Sequence, residues 1–375
     1  MDTKIPPILR AGFTSLQAEA NSLEPDMRAG NYYGGKDFRV EDVADPLPAA
    51  GEILIRVTAS GICGSDLHEF RNEYPAQTGR PPRIMGHELV GVIAGWEGDG
   101  RDDLKIGGRV GINPLVGCGH CERCRSGMSY LCFHGQTLGI HRPGGFAEYT
   151  TVAQENCYPL PDTVSDDAGA TLDVYACALH GLTRLPVKPG DAVVVIGTGA
   201  MALAFAELAG LAGASPLVMV GRRKDAVEKV AALVNAVPVS SNHQDPLQVV
   251  RDLTHGQGAD IVFECVGGTS QTLAAAMDMA RQGGSIGVEG VHIVPQSINT
   301  VNALLRELTV TWFYSHGRRG ERTEYAIALD LMARKRIRPE RLVTHHFPLE
   351  QITEAFSTAD DHARTGSIKV IVNPS

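Results

Sequence analysis

Cys118, Cys121, Cys124 and Cys132 follow one another as C-x2-C-x2-C-x7-C and make up half of the chain's 8 cysteines. Thiols so close in sequence can wrap one tetrahedral ion, and zinc suits an all-thiolate shell. Four protein ligands leave no open coordination position, so such a site braces a loop and performs no chemistry. A chemically active zinc would need a second site with one position free. The candidates outside the run are Cys63, in Gly61-Ile-Cys-Gly-Ser-Asp-Leu-His68, and His87, in Gly86-His-Glu88. A thiolate and an imidazole are both good zinc ligands, although either alone is more often a core residue. Cys157, Cys177 and Cys265 have no partner at ligand spacing and read as core rather than ligands.

A second chemical signal is Gly197-x-Gly199-x-x-Ala202, with Ala200 and Met201 inside the turn. The first Gly permits a tight turn, the second lets backbone approach a pyrophosphate, and a small third residue lets helix and strand pack closely. Free N–H groups at the helix start favour the phosphates. The end of the next strand selects the cofactor. An acidic residue there would accept hydrogen bonds from the ribose hydroxyls. Gly221 stands there instead, followed by Arg222, Arg223 and Lys224. Glycine leaves room for a 2′-phosphate and arginine can bind it bidentately, so the expected cofactor is NADP(H). The rival reading is a solvated charge run. The ends of the later strands, Cys265-Val266 and Gly287-Val288, should line the same cofactor.

These residues need elements to hold them. Residues 51–59, Gly-Glu-Ile-Leu-Ile-Arg-Val-Thr-Ala, alternate like a strand, and short strands with Gly/Pro turns continue to about Asp173. From Tyr175 the pattern changes. Strands at 192–196, 217–220, 259–264 and 285–289 alternate with helices at 203–212, 225–234 and around 273–281, which implies a parallel sheet with helices on both faces. The expected division is an N-terminal extension at 1–26, a β-rich zinc-binding domain at 27–174, a Rossmann domain at 175–313 and a return to the first domain at 314–375. The fold class is therefore α/β, a β-rich domain plus a doubly wound parallel sheet.

The chain has 375 residues, enough for two cores, and a net charge of −9 with a pI near 5.8. An acidic chain without a basic run gives no support to nucleic-acid or anionic-membrane partners. No apolar stretch approaches the roughly 20 residues that span a bilayer. The N-terminus lacks the apolar core of a signal peptide, and cysteines at metal spacing suit a reducing cytoplasm.

With Gly-Ile-Cys-Gly-Ser-Asp-x-His, Gly-His-Glu, the four-cysteine run, Gly144-Gly-Phe-Ala-Glu-Tyr149 and the Gly-x-Gly-x-x-Ala turn, the chain resembles the zinc-dependent medium-chain alcohol dehydrogenases from about Met27 onward. It looks most like their polyol (sorbitol), butanediol and threonine dehydrogenase branch. The resemblance implies a GroES-like catalytic domain, with Cys63 and His87 binding a catalytic zinc and Glu88 beside it or ligating it. It implies a third ligand at Asp173, where the polyol branch commonly has Glu; the rival role for Asp173 is a helix N-cap. It further implies a Ser65–His68 proton relay and, at Lys369, a basic residue that meets the cofactor pyrophosphate. Two zinc ions per chain are expected.

The implied reaction is hydride transfer between NADP(H) and a secondary alcohol or ketone of the polyol, cyclitol or vicinal-diol type. An L-threonine-type or general alcohol dehydrogenase, NAD-dependent in some relatives, is the alternative. A non-catalytic relative that binds zinc and nucleotide is the alternative from another class. The resemblance also implies a homo-oligomer, tetramer or dimer.

Overall fold

The computed structural model describes residues 27–73 and 80–375; the extension expected at 1–26 lies outside the described residues. Two large sheets organise the chain. The first is largely antiparallel. Its central strand, Glu52–Gly61, pairs with Glu88–Trp96 on one side and Lys369–Asn373 on the other, and with Tyr149–Ala153. Registry decides what gathers at one end of this sheet. Gly61 stands opposite both Glu88 and Ile371, so Cys63, Glu88 and Lys369 meet at a shared edge. The strands Val343–Pro348 and Lys369–Asn373 thus bring late sequence back into the sheet built by early sequence.

The second sheet has 6 strands, all parallel. In spatial order they are Val237–Ser240, Leu217–Gly221, Val193–Ile196, Ala259–Glu264, Ala280–Val288 and Thr309–Trp312. Val193–Ile196 is apolar and buried throughout, as a strand covered on both faces must be. The chain begins at this central strand, winds outward to Val237–Ser240, then crosses to Ala259–Glu264 on the other side. The carboxyl ends flanking that reversal form the crevice where doubly wound sheets bind ligands.

The helix Leu172–Arg184 joins the two sheets. Its residues from Leu172 to Leu182 are all buried, and it packs on the helix Ala200–Ala212 of the parallel sheet. A Cβ on Gly181 would stand 2.4 Å from the Phe205 ring, so only glycine permits this approach. One hydrophobic cluster includes Val90 and Ile371 of the first sheet, Leu172 and Leu182 of this helix, and Val195 and Phe263 of the second.

Candidate metal centre and cofactor cleft

Cys63 is the N-cap of the helix Gly64–Phe70. Asp66, at the third helical position, accepts the Cys63 backbone N–H at 2.9 Å and so fixes the turn that presents the thiol. The same carboxylate lies 3.6 Å from His87 Nδ1. Orientation of an imidazole by a carboxylate behind it is how metal-binding histidines are held. Gly86, with φ of +95°, makes the left-handed step that carries the chain into His87. The donor atoms of Cys63, His87 and Glu88 lie within 4.8 Å of one another, and His87 Nδ1 is buried without a hydrogen bond. Thiol, imidazole and carboxylate suit zinc, and three donors leave a position open. Burial opposes the charged imidazole, but Asp66 and Cys63 beside it hold the His87 pKa well above the ordinary value.

Glu88 is placed by subtraction. A Cβ on Gly61 would lie 2.4 Å from its carboxylate, so the glycine opposite it makes the space. Lys369 Nζ donates to Glu88 Oε2 at 2.5 Å and to the Ile62 carbonyl at 3.0 Å. Lys369, expected at the cofactor pyrophosphate, has a side chain 4 % exposed whose ammonium pairs with Glu88 behind the cluster. Burial works against that charge, while Glu88 and Cys63 raise the pKa.

Asp173 also departs from expectation. It is buried in the first turn of the helix Leu172–Arg184, but it is not one of the three gathered donors. Its Oδ1 pairs instead with His316 Nε2 at 3.2 Å. Burial would raise its pKa, and His316 more than offsets this, leaving it lowered. A side chain one methylene shorter than glutamate turns to the nearer partner. Ser65 and His68 share a face of the helix Gly64–Phe70 at i, i+3. Ser65 Oγ lies 3.4 Å from His87 Nε2, and His68 Nδ1 lies 2.6 Å from the Glu73 carboxylate.

The four-cysteine run closes on itself. The sulfurs of Cys118 and Cys124 are 3.9 Å apart and those of Cys121 and Cys132 are 3.7 Å apart. A tetrahedron with zinc–sulfur bonds of about 2.3 Å has sulfurs about 3.8 Å apart, whereas a disulfide needs about 2.05 Å. Backbone N–H groups of His120 and Cys121 pull the Cys118 thiol down to about 6, while burial pushes Cys124 up to about 12. Thiols this close ionise together only around a cation.

In the parallel sheet, Gly197 has φ of +134°, and a Cβ there would meet Ala202 at 3.1 Å and the Cys265 carbonyl at 3.3 Å. Gly199 caps the helix Ala200–Ala212, and a Cβ on it would meet nothing within 4 Å. The turn therefore offers free N–H groups and open space together, which fits a pyrophosphate. Ala200 and Met201 are half-buried in the first turn and Ala202 is fully buried. A Cβ on Gly221 would come within 2.6 Å of Thr198 Cγ2, so the absence of an acid there is built into the packing. Arg222 is exposed, with no side-chain partner among the described residues. Arg223 is committed elsewhere, donating to the carbonyls of Ala363 and His362 across the domain boundary.

Val266 is 41 % exposed beside half-buried Cys265 at the crevice lip. Gly287 and Val288 close the strand Ala280–Val288 at its carboxyl end. Both are buried, and a Cβ on Gly287 would press on the Phe313 and Phe263 rings. The strand Ala280–Val288 runs to its last apolar residue, and Glu289 follows it. Motif reading missed Asp66 as an orienting group, His316 and Glu289. Asp66 carries a signal, the N3 acid of a capping box, whereas the other two reach the site only through the fold.

Residues 49–162 match the alcohol dehydrogenase GroES-like domain, and residues 197–334 match the zinc-binding dehydrogenase family. A sorbitol dehydrogenase of Halalkalibacterium halodurans is 30% identical over 349 residues, covering 91% of this chain and 97% of that protein. The chain belongs to the zinc-binding alcohol dehydrogenase family. It is an oxidoreductase that joins a GroES-like domain to a Rossmann sheet. An L-threonine 3-dehydrogenase of Coxiella burnetii is likewise 30% identical over 332 residues, covering 88% of this chain and 93% of that one. Among solved structures, a zinc-binding dehydrogenase from Sinorhizobium meliloti bound to NADP superposes with a TM-score of 0.83 at 29% identity, covering 93% of this chain and 99% of that one.

Proposed function

We propose that this dehydrogenase transfers hydride between NADP(H) and a secondary alcohol or ketone of the polyol, cyclitol or vicinal-diol class. The observation that carries the reading is the gathering of Cys63, His87 and Glu88 at one sheet edge, with the open Gly199 turn on the facing domain. Zinc bound there would polarise an alcohol oxygen and lower its pKa, and a bound nicotinamide would exchange the hydride.

The chain's own residues supply the rest. Cys63 and His87 hold the metal. Glu88, steadied by Lys369, is the third donor in reach, and Asp173 on His316 stands in reserve. Ser65 Oγ takes the alcohol proton beside His87, and His68, held by Glu73, passes it outward. Gly199 and the N–H groups of Ala200, Met201 and Ala202 bind the pyrophosphate. Cys265 and Val266 line the path of the nucleotide, and Arg222 binds the 2′-phosphate. The four-cysteine lobe holds a second, structural zinc. The boundaries at 27–174, 175–313 and 314–375 describe this division of labour, and thiols held apart as ligands suit a reducing cytoplasm. The L-threonine reading is kept because a threonine dehydrogenase matches at the same identity as the sorbitol enzyme.

We further infer a homo-oligomer. Thr309–Trp312 is the open edge of the parallel sheet, with Trp312 61 % exposed, and Leu304 and Leu305 of the neighbouring helix are 75 % and 77 % exposed. Such an apolar edge suits a second copy of itself.

The test is the initial rate of nicotinamide reduction with NADP+ and NAD+ in parallel, over polyols, cyclitols, diols and threonine, on protein whose zinc has been counted. A clear rate with NADP+ and a polyol-class substrate supports the reading. Preference for NAD+ removes the Arg222 assignment, and preference for threonine moves the enzyme to the other arm of its branch.

A further inference from the structure

Glu289 is the first residue beyond the strand Ala280–Val288, at the carboxyl edge of the parallel sheet. Its N–H donates to the Glu264 carbonyl at 2.9 Å, which lays it against the end of the neighbouring strand, next to Cys265. The residue keeps limited exposure, yet its Oε2 is shut off from solvent and accepts no hydrogen bond. Its charge is felt by Cys265 on its own domain and by Asp173 and Cys177 on the helix Leu172–Arg184. It therefore sits at the carboxyl edge beside Cys265, whose carbonyl backs the Gly197 turn. The other carboxylates nearby have partners: Glu88 has Lys369, Asp173 has His316, and Glu264 accepts from the N–H of Val266 and the hydroxyl of Thr272 at Oε1 and has His292 Nε2 3.2 Å from Oε2. Burial beside Asp173 pushes the Glu289 carboxyl up to about 8, the mark of an acid enclosed without a cation.

We propose that Glu289 faces the nicotinamide ring and favours its oxidised, cationic form over its reduced, neutral one. The inference rests on the dinucleotide reading above. A nucleotide whose pyrophosphate lies at Gly199 and whose reactive ring must reach a substrate at Cys63 and His87 passes the lips formed by Cys265 and Glu289. Before hydride arrives the ring carries a positive charge, and afterwards it carries none. A carboxyl in a half-desolvated cleft distinguishes these two states, because beside the cationic ring it releases its proton to solvent and attracts the ring as a carboxylate, while beside the neutral ring it keeps the proton; a purely shape-filling residue does neither.

The experiment is calorimetric titration of the wild-type protein, Glu289→Gln and Glu289→Val with NADP+ and NADPH, and with NAD+ and NADH. Both variants should weaken binding of the oxidised form by about tenfold and leave the reduced form within about twofold. Gln keeps the shape and Val removes the polarity, so agreement between them assigns the effect to charge. If the ratio of the two dissociation constants stays at its wild-type value, or both forms weaken equally, Glu289 only shapes the cleft and the proposal fails. A shift seen in Val but not in Gln overturns it too. Wild-type protein that binds neither nucleotide pair overturns the dinucleotide reading itself, an outcome distinct from an unmoved ratio.

Discussion

Glu88 and Asp173 are the two carboxylates proposed for one role, and they differ by a single methylene and by their partners. Glu88 reaches the Cys63–His87 donors while Lys369 secures its other face; Asp173 is drawn to His316. Cys63→Ala should lose one zinc per chain by mass spectrometric metal analysis, together with activity, and keep the lobe zinc. Glu88→Gln should weaken the same zinc more than Asp173→Asn; the reverse order would return Asp173 to the ligand set. Lys369→Met leaves Glu88 buried without its cation and should cost about 3–5 kcal/mol in urea unfolding. Glu289 gives a pH signature. Its folded pKa, about 8, lies above the ordinary glutamate value, so the folded state holds its proton where the unfolded state has lost it. The contribution of Glu289 to stability is then fully present below about pH 4, is lost as pH rises toward 8, and is flat beyond. Glu289→Gln should flatten that slope and raise the melting temperature at pH 8.5 more than at pH 5. Cys63 and His87 were legible because their motifs are short and local. His316 was not, since 143 residues separate it from Asp173 and no spacing rule spans that distance.

Among the elements, strand ends matter most. Continuous apolar runs located the central strands Val193–Ile196, Leu217–Gly221 and Ala259–Glu264 to within a residue or two, because a buried parallel strand has little freedom of composition. Where a strand stops is harder to read. The segment expected at 285–289 runs from Ala280 to Val288, so Glu289 falls just past its end. The turn after Leu217–Gly221 shows how one packing contact shapes cofactor choice: Thr198 occupies the space that an acidic side chain at 221 would need. Arg222→Ala should raise KM for NADP+ by about tenfold and leave KM for NAD+ unchanged. Arg223→Ala should instead loosen the domain contact at Ala363, visible as faster hydrogen exchange in the helix His362–Thr365.

At the scale of the whole molecule, the alternation of strand and helix after Tyr175 was enough to predict the Rossmann sheet, and the motif set was enough to predict its partner domain. The shared core was not legible in this way, because residues of both sheets and the helix Leu172–Arg184 meet in one cluster only after folding. The exposed apolar edge also belongs to this scale. Leu304→Asp with Leu305→Asp should shift the assembly toward monomers in light scattering, with the far-ultraviolet circular dichroism spectrum unchanged.

The strand Lys369–Asn373 completes a sheet whose first strand is Glu52–Gly61, and its lysine meets a glutamate 281 positions earlier. During synthesis, Cys63, His87 and Glu88 leave the ribosome long before that strand does, and until it docks the carboxylate of Glu88 has no cation behind it. The early domain must therefore wait, incomplete, while the entire nucleotide-binding sheet is made. On the proposed function, zinc delivery to this centre belongs after translation, on a chain already closed, whereas the four cysteines of the lobe could be filled while the ribosome is still at work.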